Sequence, residues 1–137
     1  MGDNLNELHL HIDGSLRKST LQEFCPDLDL QGFGFRKGMT LEDCLGCFAT
    51  TVTALDSPQR IARVVREICE DQKEIGVNKT ELRFAPHIHG VEPQLMVDAV
   101  TNALDNDANV ILCGLYGENP KIFEQLVDMA KNNDRVV

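Results

Sequence analysis

The chain has 137 residues and a net charge of −9, with 13 basic against 22 acidic side chains. That length holds about one domain with one core. The acidic balance argues against nucleic acid or an anionic membrane as the main partner, since both need a basic face. It fits a small ligand without selecting one. No apolar run approaches the ~20 residues of a membrane span, and the N-terminal residues show no basic or apolar leader pattern. Five scattered cysteines, 25, 44, 47, 69 and 113, fit a reduced, cytoplasmic protein. Cys44 and Cys47 have redox or zinc spacing, but no second pair completes it, and they read as two half-buried helical thiols.

In chain order, Leu8, Leu10 and Ile12 alternate with His9, His11 and Asp13, which is the period of a strand, and Gly14 ends it. Ser19 and Thr20, followed by Gln22 and Glu23, read as overlapping capping boxes of a short helix that Pro26 stops. Residues 26–39 carry no clear period and read as loop. Thr40 opens a helix with Leu41, Cys44, Leu45 and Phe48 on one face. Ser57-Pro58 opens the next, whose apolar side is Ile61, Val64, Val65, Ile68, Cys69 and Ile75, with Gly76 as its stop. Residues 77–86 are a second strand ended by Pro86. Pro93 opens a helix with Leu95, Met96, Ala99, Val100, Ala103 and Leu104 inward. Residues 109–116 are a third, nearly all apolar strand, as burial on both faces requires. Asn119-Pro120 starts a last helix to about Lys131, and residues 135–137 look like the start of a fourth strand.

Strands alternating with helices imply a parallel sheet with crossover helices. The spacing of the second and third strands, about 32 residues, is close to the ~31 per unit of a ~250-residue (β/α)8 barrel. The fold class expected is therefore α/β: the N-terminal portion of such a barrel, strands 1–3 and the start of 4, as one domain over 1–137. A helical, lid-like insertion occupies about 15–57, where such barrels build their sites.

On a strand, alternate residues point the same way. His9, His11 and Asp13 therefore share a face, opposite Leu8, Leu10 and Ile12, which should pack on helices. In the second strand Glu81 and Arg83 oppose Leu82 and Phe84. Two imidazoles two apart on one strand can hold one metal ion, and neutral nitrogen at about 2.0–2.1 Å suits zinc. Buried histidines bonded to backbone are the alternative. A second pair, His87 and His89, follows Pro86, where strand geometry is not assured, and reads as loop histidines near the mouth.

These residues carry a resemblance. "ELHLHIDGSL" resembles the first-strand signature of the adenosine deaminase family, "TELRFAPHIH" its second-strand motif, "ILCGLY" its third strand and "TLEDCLGCF" its segment over the substrate mouth. The resemblance implies that His9 and His11 are zinc ligands, that Asp13 reaches the substrate ribose and that Gly14 lies close to the ligand. It implies that Leu45 and Phe48 gate the base pocket, with Cys44 standing where an aromatic residue is frequent. Glu81 and Arg83 then face the barrel interior, as a structural ion pair rather than the alternative catalytic one. The implied activity is zinc-dependent hydrolytic deamination of adenosine or deoxyadenosine to inosine and ammonia. Adenine or another aminopurine is the alternative substrate, and AMP is disfavoured for want of a basic cluster near the motifs.

The resemblance also implies parts that this sequence lacks: a third histidine, an aspartate on the metal, a histidine orienting the attacking water and a proton-shuttling glutamate, all on strands five to eight. No catalytic acid–base residue is expected in this chain. Two open sheet edges are also expected to leave it unstable alone. The expected partner, besides a purine nucleoside, is a complementary C-terminal deaminase chain or segment. A non-catalytic binding or regulatory remnant of the fold is the alternative.

Overall fold

The computed structural model describes residues 5–137. Three strands form one parallel sheet in the order β1 (Leu5–His11), β2 (Val77–Phe84), β3 (Ala108–Leu112). Helices α1 (Lys18–Phe24) and α2 (Leu41–Ala54) follow β1, and α3 (Pro58–Glu74) completes the first crossover. Helix α4 (Pro93–Ala103) links β2 to β3, and α5 (Pro120–Lys131) follows β3. Val136 bridges Val110 in parallel, Val137 N donating to Val110 O at 3.0 Å, so the expected start of a fourth strand is there. Among the described residues no helix is long and apolar enough to cross a membrane.

Local chemistry explains most helix starts. Thr40 and Asp43 form a reciprocal capping box on α2, which holds the Asp43 carboxyl below its ordinary range, first through the Thr40 backbone N–H. Ser57 accepts from Arg60 N with Pro58 in the first turn of α3, and Asn119 accepts from Lys121 N ahead of Pro120. Helix α1 differs from expectation. Its N-cap is Arg17, with no side-chain cap. Thr20 is buried instead and donates to Glu67 at 2.7 Å. Arg17 donates to Asp71 and Glu70 on α3, and Arg63 of α3 bridges Glu23 and Glu67. These bonds raise the pKa of both guanidinium groups further and tie α1 to α3.

The core lies between the sheet and helices α3 and α4. Ile61, Val64, Val65 and Ile68 meet Met96, Val97 and Val100 over Leu82 and Val110, each at most 2% exposed. Val97 and Thr101 are buried where Leu95 was expected, and Leu95 is exposed, because α4 turns its 96–97–100–101 face to the sheet. Ile75 lies at the end of α3 and is also exposed.

Strand β1 departs from simple alternation. Glu7 pairs with Thr80 and Leu10 with Leu82, so three steps on β1 span two on β2, a bulge. The strand ends at His11, and Ile12–Gly14 form a 3-10 turn. Leu8 is consequently half exposed rather than packed on helices, whereas Ile12 is fully buried. Strand β3 ends at Leu112, short of the expected 116. Cys113 N donates to Phe84 O, and the Glu118 carboxylate then accepts from Leu115 N to start a turn through Gly117 at φ +85°.

Candidate metal and substrate site

The C-terminal ends of β1 and β2 carry the polar side chains His9, His11 and Arg83. His9 and His11 converge so that their Nε2 atoms stand 3.2 Å apart. Two lone pairs do not face each other at that distance without a proton or a cation between them. Two nitrogens held about 2.0–2.1 Å from one zinc ion at a tetrahedral angle stand ~3.4 Å apart, so the pair fits joint ligation. The bulge is fixed from two sides: His9 N donates to Glu7 Oε1 at 2.9 Å, and Arg83 Nη2 donates to Leu8 O at 3.1 Å. Among the described residues Glu81 and Arg83 form no ion pair; Arg83 braces β1 at Leu8 O instead. No cluster of three or more ligand-type side chains converges among the described residues; what converges is the imidazole pair His9 and His11.

Asp13 leaves the strand face in the 3-10 turn. Its Oδ1 stands 3.9 Å from His11 Nδ1, an ion-pair rather than a hydrogen-bond distance, and is buried with no hydrogen-bond partner among the described residues. Such an oxygen requires a donor. Asp13 and Gly14 line a cavity of about 140 Å³ with Phe33, Phe35, Cys47 and Phe48. At Gly14 a Cβ would come within 3.1 Å of the Phe48 ring, so glycine lets α2 lie close on the turn. Phe48 thus stands at the cavity wall, and Leu45 lies outside it, exposed.

The second histidine pair lies not in an open loop but in and just after the 3-10 turn Pro86–Ile88. His87 Nε2 is 2.5 Å from Glu118 Oε1, which ties the end of β2 to the loop after β3. Glu118 is held below its ordinary carboxyl range, first by the Leu115 N–H and then by His87. His89 is buried against Phe84 with Nδ1 3.4 Å from Val52 O at the end of α2, and burial pushes its imidazole down. All five cysteines are free thiols; burial pushes Cys113 and Cys69 up.

The sequence reading missed Phe33, Phe35 and Cys47. The available signal was that two of the six phenylalanines fall within Gly32-Phe33-Gly34-Phe35. It also placed no basic group near the motifs, yet Arg36 and Lys37 line an open groove that shares Phe33 and Cys47 with the cavity, beside Glu42 and Asp43.

Residues 5–115 match the model of the family described as adenosine deaminase. The chain belongs to the adenosine deaminase family. It is 32% identical over 145 residues to a probable adenosine deaminase of Dictyostelium discoideum, covering 90% of this chain and 19% of that protein. It is 30% identical over 149 residues to the adenosine deaminase of Clostridium acetobutylicum, covering 92% and 44%. Among solved structures, the ADAL–IMP complex superposes with a TM-score of 0.80 at 22% identity, over 97% of this chain and 47% of that one. A Burkhoderia ambifaria amidohydrolase with bound zinc superposes at 0.76 and 19% identity, over 97% and 42%. The family member described here therefore has the fold of the N-terminal portion of an α/β barrel, and spans less than half the length of these relatives.

Proposed function

We propose that this chain supplies the first-strand side of the metal centre and the sugar-binding edge of a zinc-dependent purine nucleoside deaminase. The observation that carries this reading is the 3.2 Å approach of His9 and His11 Nε2. When bound, zinc lowers the pKa of a coordinated water toward ~7. Each imidazole gives its Nε2 lone pair, and Arg83 and Glu7 keep the bulge that aims them. Asp13 accepts a sugar hydroxyl on its unpartnered Oδ1. Phe48 closes one wall against the base, with Gly14 beneath it. Overall, the purine amino group is exchanged for a water oxygen, so adenosine gives inosine and ammonia.

The remaining ligands and the proton-moving carboxylate belong to the other strands of the barrel, in a continuing or a separate polypeptide. Nucleoside monophosphate is the second reading. Arg36 and Lys37 beside the cavity favour it, and the ADAL neighbour holds IMP.

The deciding experiment measures ammonia release from adenosine, N6-methyl-AMP and adenine by this chain joined with the strands that complete its barrel. Adenosine should be turned over fastest. Preference for the nucleotide would reassign the sugar end to Arg36 and Lys37. No turnover of any aminopurine by a folded, zinc-loaded barrel would leave the non-catalytic remnant.

A further inference from the structure

The segment between α1 and α2 holds two phenylalanines at the cavity. Phe33 and Phe35 both line it, and Phe35 meets Phe48 edge to face, with centroids 5.5 Å apart and planes at 65°. Between them Gly34 has φ +112°, a conformation that side-chain-bearing residues rarely adopt. Over residues 31–39 the hydrogen bonds among the described residues are local: Gln31 N to Asp29, Phe33 N to Leu30 O, Arg36 N to Met39 Sδ and Met39 N to Arg36 O. None of these bonds ties the segment to the sheet or to α2, so ring packing at the cavity, with the charge attraction of Arg36 to Asp43, is what seats it. Phe35 is also 64% exposed, so one wall of the cavity is its least anchored part. The cavity, about 140 Å³, is smaller than the about 300–1,000 Å³ of typical small-molecule sites. It cannot enclose a base with its sugar unless that wall moves or the remaining strands enlarge it.

We infer that Phe33 and Phe35 form an aromatic flap, pivoting at Gly34, that opens to admit a purine nucleoside and closes its rings on the ligand over Asp13. The inference rests on the nucleoside reading above and adds the residues that set affinity. Three phenyl rings offer faces and edges to a planar heterocycle. The lone buried carboxylate oxygen offers an acceptor to a sugar hydroxyl. Together they select a flat ring joined to a neutral, hydroxylated group.

The test measures inosine binding by calorimetry in the assembled protein, with zinc content as the folding control. Phe33→Leu and Phe35→Leu should each weaken inosine about tenfold, the size of one aromatic contact. Phe35→Tyr, which keeps the ring, should bind like the unaltered protein. Gly34→Ala keeps both rings but strains the pivot, and should weaken binding as much as losing a ring. If both leucine variants bind inosine normally while Asp13→Asn binds weakly, the flap is refuted and the nucleoside reading stands. If the unaltered protein does not bind inosine, both readings fall.

Discussion

The outer and inner sides of the sheet have different jobs. On the outer side, α3 and α4 seal β2 and β3 with residues at most a few per cent exposed. On the inner side and at the two ends of the sheet the surface is unfinished. Leu5 and Leu8 of β1 are about half exposed, β1 has no second strand partner among the described residues, and Phe123 and Val127 of α5 are 43% and 51% exposed. The histidine pair, Asp13 and the aromatic cavity lie on this unfinished side or at its mouth. Stability is thus concentrated in the packed outer layer, and the chemistry proposed above lies on the open one.

The largest effect should separate the two sides. His9→Ala or His11→Ala should abolish zinc retention and deamination in the assembled protein while leaving its unfolding midpoint without zinc nearly unchanged. His87→Ala and His89→Ala should keep the zinc. Elemental analysis showing full zinc in His9→Ala would remove the metal assignment. Next, Leu82→Ala on the sealed side should cost the assembled protein about 2–5 kcal/mol by denaturant unfolding. Leu8→Ala, already half exposed, should cost well under half as much. Equal losses at the two positions would erase the distinction between the layers.

Asp13→Ala should lower kcat/KM for adenosine by the ~1.5–3 kcal/mol of a charge-assisted hydrogen bond, with little effect on free adenine. Equal losses on both substrates would take the sugar away from Asp13. The smallest effect concerns His89, the buried tie between α2 and the end of β2. Burial depresses its folded pKa, so the fold favours neutral imidazole. Below the unfolded value of about 6.5 the unfolded chain takes up a proton that the folded one resists. The His89 contribution is fully present above that pH and is lost as pH falls toward the folded pKa. His89→Asn should flatten the stability profile of the assembled protein over that acidic window. An unchanged slope would mean that another group sets it.

What the sequence showed depended on how local the cause was. Thr40, Ser57-Pro58, Pro93 behind its Glu92 cap and Asn119-Pro120 are local signals, so four helix starts were legible to the residue. The strand period of Leu8 to Asp13 gave the His9–His11 face correctly. It could not show the bulge or the 3-10 turn, because Arg83, 75 positions away from Leu8, and the packing of α2 on Gly14 set them. Thr20 resembled a cap until Glu67 on another helix claimed it. Phe33 and Phe35 sit in a stretch with no period, so only their place in the fold reveals a wall of the cavity. His87 was placed near the mouth, and its carboxylate partner Glu118 became visible only when β3 was laid beside β2.

The central claim is that this chain brings two ligands and a part-built barrel to a centre finished by other strands. Native mass spectrometry with zinc counting tests it most directly. The 137-residue chain alone should hold no zinc tightly and should not form a discrete, cooperatively folded species. With the completing strands it should give one defined assembly holding about one zinc per copy, and His9→Ala should lose that zinc. A monodisperse monomer that binds zinc and unfolds cooperatively on its own would contradict the account.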